Sequence, residues 1–205
     1  MMDKTNYYLK SLETLDKEKN RKPSLLLHVC CGPCACFPLV FLSSHFNITI
    51  YYTNSNIYPE SEYQKRLKTL KTLLKDLKRD FKIKVKLIVP KYDHESFMKD
   101  LKPLASCKEG EGRCFLCYEK RMEEAYSYAE RKKYDYFTTI MTVSRQKSSQ
   151  KLNEIGEILE KKHPDTKYFY SDFKKANGAL IGQHIREYYD LYNQHYCGCE
   201  YSLKK

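Results

Sequence analysis

Short apolar runs alternate with longer amphipathic stretches along this chain, and that alternation predicts a fold before any motif is considered. Residues 24–29 read Ser-Leu-Leu-Leu-His-Val, an apolar run of strand length that stops at a cysteine cluster. Ile-Thr-Ile-Tyr-Tyr-Thr over 48–53 is a second run, β-branched and aromatic. Residues 83–89, 135–140 and 167–170 give a third, fourth and fifth. Between them, 59–80 is strongly charged but carries Leu67, Leu70, Leu74 and Leu77 at helical spacing. Helices are also expected over 93–101 with Asp93 as cap, over 114–133, over 150–162 and over 181–192. Residues 102–113 read as a loop, and 1–22 as a polar leader, frayed or helical.

Strands alternating with helices imply β-α-β units, hence an α/β fold with a mostly parallel sheet of about five strands and helices on both faces. In such sheets ligands bind at the carboxyl ends of the strands. The first cysteines lie at one such end, as do Asn54 and Asn56, Asp93, and the turn Thr142-Val-Ser-Arg145. A length of 205 residues suits one domain spanning 1–205, with 194–205 as a C-terminal tail.

Charge adds a partner. Lys and Arg total 37 against 26 Asp and Glu, a net +11, which points to a polyanion, nucleic acid ahead of a membrane surface. Tyrosines among basic residues, Tyr58 and Tyr63 near Lys65 and Arg66, and Tyr188 and Tyr189 near Arg186, could stack on unpaired bases; most of the 19 tyrosines read as core or ordinary surface. No stretch reaches the roughly 20 apolar residues of a membrane helix, and 1–22 has no apolar signal-peptide core, so a cytoplasmic protein is expected. Thiols stay reduced there, which makes clustered cysteines metal ligands or catalytic groups rather than staples.

Eight of the nine cysteines are clustered: Cys30-Cys31-Gly-Pro-Cys34-Ala-Cys36, Cys114-Phe-Leu-Cys117 and Cys197-Gly-Cys199, with Cys107 apart. The first cluster sits where a strand turns into a helix, whose N-terminal dipole favours the thiolate. Cys36, a turn inside that helix, reads as a small hydrophobe. Cys114 and Cys117, one helical turn apart, can face one metal. Zinc would be satisfied by Cys30, Cys31, Cys114 and Cys117, an iron–sulfur cluster would use the same four, and spacing does not separate them. A disulfide between Cys197 and Cys199 would close a small, strained ring, labile enough for a redox couple; a third pair of metal ligands is the other reading. His28, inside the first strand, reads as a core histidine. Asn54, Ser144 and Arg145 are candidate substrate contacts. No glycine-rich phosphate loop follows the first strand, which disfavours nucleotide chemistry at that turn, and the C-x-x-x-C-x-x-C spacing of radical enzymes is missing because Phe37 stands where the third cysteine would.

From Leu25 to Ser202 the chain resembles the cobalamin-independent epoxyqueuosine reductases of the QueH type. The residues that carry the resemblance are Leu27-His-Val-Cys-Cys-Gly-Pro-Cys34, the stretch Tyr-Thr-Asn-Ser-Asn-Ile-Tyr-Pro-Glu ending at Glu60, Arg113-Cys-Phe-Leu-Cys-Tyr118, Asp135-Tyr-Phe-Thr-Thr139, Asn153-Glu-Ile-Gly156, Tyr170-Ser-Asp-Phe-Lys174 and Gln194-His-Tyr-Cys-Gly-Cys199. The resemblance implies a Rossmann-like domain of the adenine-nucleotide-hydrolase type without its nucleotide loop. It implies reduction of the epoxide of epoxyqueuosine, at the wobble position of a tRNA anticodon, to the alkene, with oxygen leaving as water. Cys30, Cys31, Cys114 and Cys117 look like [4Fe-4S] ligands, and Cys197 and Cys199 like the redox-active pair. A second, mononuclear iron held by cysteines and an aspartate is also implied for the family, with Asp93 the first candidate and Asp172 the second; Cys34 belongs to the same motif as a candidate extra ligand. Cys36 and Cys107 fall outside the pattern. The partners implied are tRNA and an unidentified electron donor. The competing readings are a zinc-stabilised RNA-binding module without catalysis and a PP-loop-like thiolation enzyme, the latter opposed by the missing phosphate loop.

Overall fold

The computed structural model describes residues 5–203. Five strands, β1 (Ser24–His28), β2 (Asn47–Tyr51), β3 (Lys86–Ile88), β4 (Tyr136–Thr139) and β5 (Lys167–Tyr168), form one sheet in the order β3-β2-β1-β4-β5, every pairing parallel. The most apolar strand, β1, sits in the middle, because a central parallel strand is covered on both faces and needs side chains suited to both. Its alternate residues part accordingly: Leu25 and Leu27 join one core cluster and Leu26 the other.

The first cluster packs the sheet against α2 (Gly32–Ser43) and α3 (Glu60–Phe81), through Leu39, Leu42, Leu70, Leu73 and Leu77. The second packs the opposite face against α5 (Gly112–Arg131) and α6 (Ser149–Lys162), through Met122, Tyr126, Leu152 and Leu159. The expected Rossmann-like α/β architecture is the one observed. The polar leader is a helix, α1 (Tyr7–Lys17), whose Leu15 joins the first cluster and whose Tyr7 ring stacks on Tyr170.

Some boundaries differ from the sequence expectation. β3 is confined to three residues at the sheet edge and β5 to two. The last long helix, α7, spans Gly178–Tyr188 rather than 181–192. It starts early because Gly178 lies against Phe173 and Phe37: a Cβ there would stand 2.3 Å from the Phe173 carbonyl oxygen. It stops early because Asp190, at φ 46°, turns the chain and sends Leu191 into the core. Asp93 caps α4 (His94–Lys99), its carboxylate accepting from the Ser96 amide at 3.0 Å. No helix among the described residues is long and apolar enough to cross a membrane.

Candidate metal centre and active site

The chain leaves β1 at His28 and enters α2 at Gly32, so Cys30 and Cys31 stand in a short connection at the carboxyl edge of the sheet. Gly32 admits α3: a Cβ there would meet Thr69 at 3.0 Å and the Leu70 amide at 3.2 Å. Pro33 starts the helix where no amide partner is missed. Cys34, in the first turn, brings its sulfur back over the loop. The Sγ atoms of Cys30, Cys31 and Cys34 all lie within 4.8 Å of one another, with 3.8 Å between Cys30 and Cys31. Thiol hydrogen bonds from Cys31 and Cys34, together with Arg121 and Lys147, hold Cys30 well below the ordinary thiol range. The same sharing pushes Cys31 and Cys34 up.

Cys30 and Cys34 open on a cavity of about 100 Å3, whose wall includes Asn56, Arg66, Arg121, Lys147, Gln194 and Cys197. Its electrostatics are unusual. Arg121 is 3% exposed and has no carboxylate partner among the described residues. One guanidinium nitrogen donates to Asn54 Oδ1 at 2.6 Å, while Nε has no partner among the described residues. Burial works against the charge of Arg121, and the cysteines Cys117, Cys30 and Cys197 favour it. Lys147 likewise faces Cys197, Cys30 and Cys34. A buried cation without a counter-ion is costly, so the site is shaped for anionic sulfur.

A second group of thiols gathers around Cys117. Cys117, one turn before Arg121 on α5, is buried, and its thiol is pushed up to about 12 by that burial, with Cys197, Cys199 and Cys114 close by. Cys114 Sγ accepts from the Gly110 amide at 3.2 Å. The tail reaches this place through a clamp: Arg66, 2% exposed and paired with Glu62 at 2.7 Å, donates to the carbonyl oxygens of Cys197 and Tyr196, both at 3.1 Å. Gly198, at φ 108°, passes so close that a Cβ would stand 2.9 Å from Arg66 Nη1. Gln194 donates to Cys31 Sγ at 3.1 Å, tying tail to loop.

All nine cysteines are free, so the disulfide expected between Cys197 and Cys199 is not formed. The turn at Gly198 separates their surroundings: Cys197 lines the cavity, and Cys199 packs with Cys117, Phe97 and Met98. Asp93 is exposed and serves as the α4 cap. Asp172 accepts from Ser149 Oγ at 2.9 Å and pairs with Lys174 at 3.4 Å. Neither belongs to a metal-sized group of His, Cys, Asp or Glu among the described residues, where Cys30, Cys31 and Cys34 form such a group. Cys114 and Cys117 stand outside that group.

Cys36 is core, its thiol pushed up to about 12 by burial, and the Cys107 carbonyl accepts from Arg113. His28 is fully buried between Thr139 and the Thr53 carbonyl and, drawn down to about 3 by burial, stays neutral. Asn54 is structural, joining the Val29 carbonyl to Arg121, and Tyr63 is core, whereas Tyr58 and Tyr188 are exposed. Pattern reading passed over Arg121, Lys147, Gln194 and the clamp function of Arg66. One signal was available: Arg121 follows Cys117 by one helical turn and shares the stripe of Met122, Ala125 and Tyr126, so an arginine stands on a buried face.

A family model described as "Epoxyqueuosine reductase QueH" matches residues 25–205. A Streptococcus pyogenes protein named epoxyqueuosine reductase QueH is 33% identical over 203 residues, covering 98% of this chain and 79% of that protein. Its Staphylococcus aureus namesake is 38% identical over 183 residues, covering 88% and 76%. Among solved structures, the U34-tRNA thiolase NcsA of Methanococcus maripaludis, with its [4Fe-4S] cluster, superposes with a TM-score of 0.54 at 14% identity, over 96% of this chain and 67% of that one. At that identity the likeness shows the fold alone.

Proposed function

The chain belongs to the epoxyqueuosine reductase QueH family, and from that premise we propose that it converts epoxyqueuosine to queuosine in tRNA at the cavity over Cys30 and Cys34. It is an oxidoreductase. The observation that carries the reading is the gathering of three thiols within 4.8 Å beside a buried arginine that has no carboxylate. Thiolate sulfur suits iron, and cations without counter-ions suit a ligand set whose net charge is negative.

Cys30, Cys31, Cys114 and Cys117 are the ligands assigned to a [4Fe-4S] cluster. A cubane calls for four thiolates, and Cys117 and Cys30 both act electrostatically on the same buried Arg121. Such a cluster, when bound, supplies single electrons and a Lewis-acidic iron. Cys34 supports Cys30 through a thiol hydrogen bond. Arg121 and Lys147 neutralise sulfur charge, and Gln194 orients Cys31. Cys197 and Cys199 are the two-electron store. Both carbon–oxygen bonds at the epoxide oxygen break and the alkene forms. The oxygen leaves as water with two protons and two electrons from the dithiol, which becomes a disulfide. An external donor, in a cytoplasmic setting, restores the dithiol. Asp93 and Asp172 already serve the α4 cap and the Ser149–Lys174 contacts, so neither is assigned to a second iron.

Anaerobically purified protein should carry iron and sulfide, show a broad brown absorption that dithionite bleaches, and convert epoxyqueuosine to queuosine in tRNA, read by nucleoside mass spectrometry. Colourless protein with stoichiometric zinc and no conversion would replace this reading with a zinc-stabilised RNA-binding module.

A further inference from the structure

A second groove, of about 270 Å3, runs beside the cavity and shares Cys34 and Ser144 with it. Its apolar lining comes from Pro33, Phe37, Val143 and Ala179, and its polar lining includes Arg145 and Arg186. None of its lining residues is acidic. Arg145 is exposed, and its guanidinium has no hydrogen-bond or ion-pair partner among the described residues. Arg186 touches only its exposed neighbour Glu187, at 3.1 Å. Two cations and apolar side chains lining one groove form a complementary setting for one nucleotide, its base on the apolar lining and its phosphate at the cations.

We propose that this groove seats a nucleotide adjacent to the modified one in the single-stranded anticodon loop, with its base on the apolar lining and its phosphate at Arg145 and Arg186. The proposal rests on the tRNA reading given above and adds the direction in which the RNA leaves the catalytic cavity. Continuity is what selects the groove: a loop whose modified base occupies the cavity passes Cys34 and Ser144 to leave it, and the groove begins there. The lining also sets the chemistry, because an acidic peptide would use the arginines but has no base to place on the apolar lining.

The test measures binding of a fluorescent anticodon stem-loop carrying epoxyqueuosine to the cluster-loaded full chain across a salt series. Arg145→Ala should weaken binding about tenfold and lower the log–log salt slope by about 0.7, the loss of one phosphate contact on a single strand. Ala179→Leu, which fills the groove, should weaken binding with the slope unchanged. A stem-loop lacking the base on one side of the modified nucleotide should bind wild type about tenfold more weakly, as loss of one stacked base predicts, and bind Ala179→Leu no more weakly than the intact loop does. An unchanged salt slope in Arg145→Ala, or base-removal and Ala179→Leu penalties that add in full, overturns the proposal. If wild type reduces the intact loop while both variants bind it normally, the groove alone fails. If wild type neither binds nor reduces the loop, the tRNA reading fails and the groove falls with it.

Discussion

The two groups of thiols, one around Cys30 and one around Cys117, are built by opposite means. Cys30, Cys31 and Cys34 come within 4.8 Å of one another because five residues of one strand-to-helix turn leave them nowhere else to go. Cys114, Cys117, Cys197 and Cys199 come from a helix and a tail about 80 residues apart, and the tail is held by the Arg66 clamp on two carbonyl oxygens. The first group is a local consequence of chain geometry; the second exists only once the fold is complete. The first therefore costs little loop-closure entropy, whereas the second depends on long-range closure.

The largest effects should come from breaking the bridge between the groups. Cys30→Ser and Cys114→Ser should each abolish iron binding, while Cys34→Ser should retain it, measured by iron and sulfide analysis. The opposite result for Cys34 and Cys114 would confine the cluster to the first group. Next, Cys199→Ala should keep its iron and lose turnover by about 10³-fold or more, as removal of a group that acts in the chemical step does. Iron loss in that variant would make Cys199 a ligand instead. Arg121→Gln should leave iron in place and make the cluster harder to reduce, by about 59 mV for each tenfold change in the one-electron equilibrium, because adding an electron then lacks its fixed countercharge. A potential within error of wild type would remove Arg121 from the electrostatic account.

The smallest effect belongs to a control remote from both groups. Burial works against the charge on His163, but hydrogen bonds to Glu130 and Glu123, both at 2.8 Å, outweigh it and raise its pKa. A raised folded pKa contributes stability below the ordinary histidine value of about 6.5 that is lost as pH rises through the folded pKa. His163→Gln should therefore melt below wild type by the widest margin in mild acid, by under about 1 kcal/mol, and converge with it as pH rises, with iron content unchanged. A margin that grows with pH would reverse the assignment.

The sheet was legible because parallel strands write themselves as apolar runs, and Ser24 to Val29 has no other use. The short edge strands were less so: residues 83–89 show a strand's composition, yet an edge strand pairs on one side only, and three residues complete it. The early start of α7 turns on how closely Gly178 approaches Phe37 and Phe173, a distance no local pattern encodes. At the site, cysteine spacing pointed to a gathering of thiols, and Cys30, Cys31 and Cys34 do gather, whereas Cys114 and Cys117 stand outside that group. The cations did not announce themselves. Arg66 and Arg121 look like ordinary helix arginines among 37 Lys and Arg until the fold buries them at 2% and 3% exposure. The separated, reduced state of Cys197 and Cys199 was hidden for the same kind of reason, because a one-residue spacer describes what a ring could be but not that Gly198 turns the two free sulfurs into different surroundings.

Arg66 grips the tail by peptide oxygens, and every amino acid carries one. The neighbouring His195 is exposed on the cavity wall, and its side chain plays no part in that grip. A substitution at position 195 therefore leaves the anchoring of the tail intact while changing the wall that any guest in the cavity must touch.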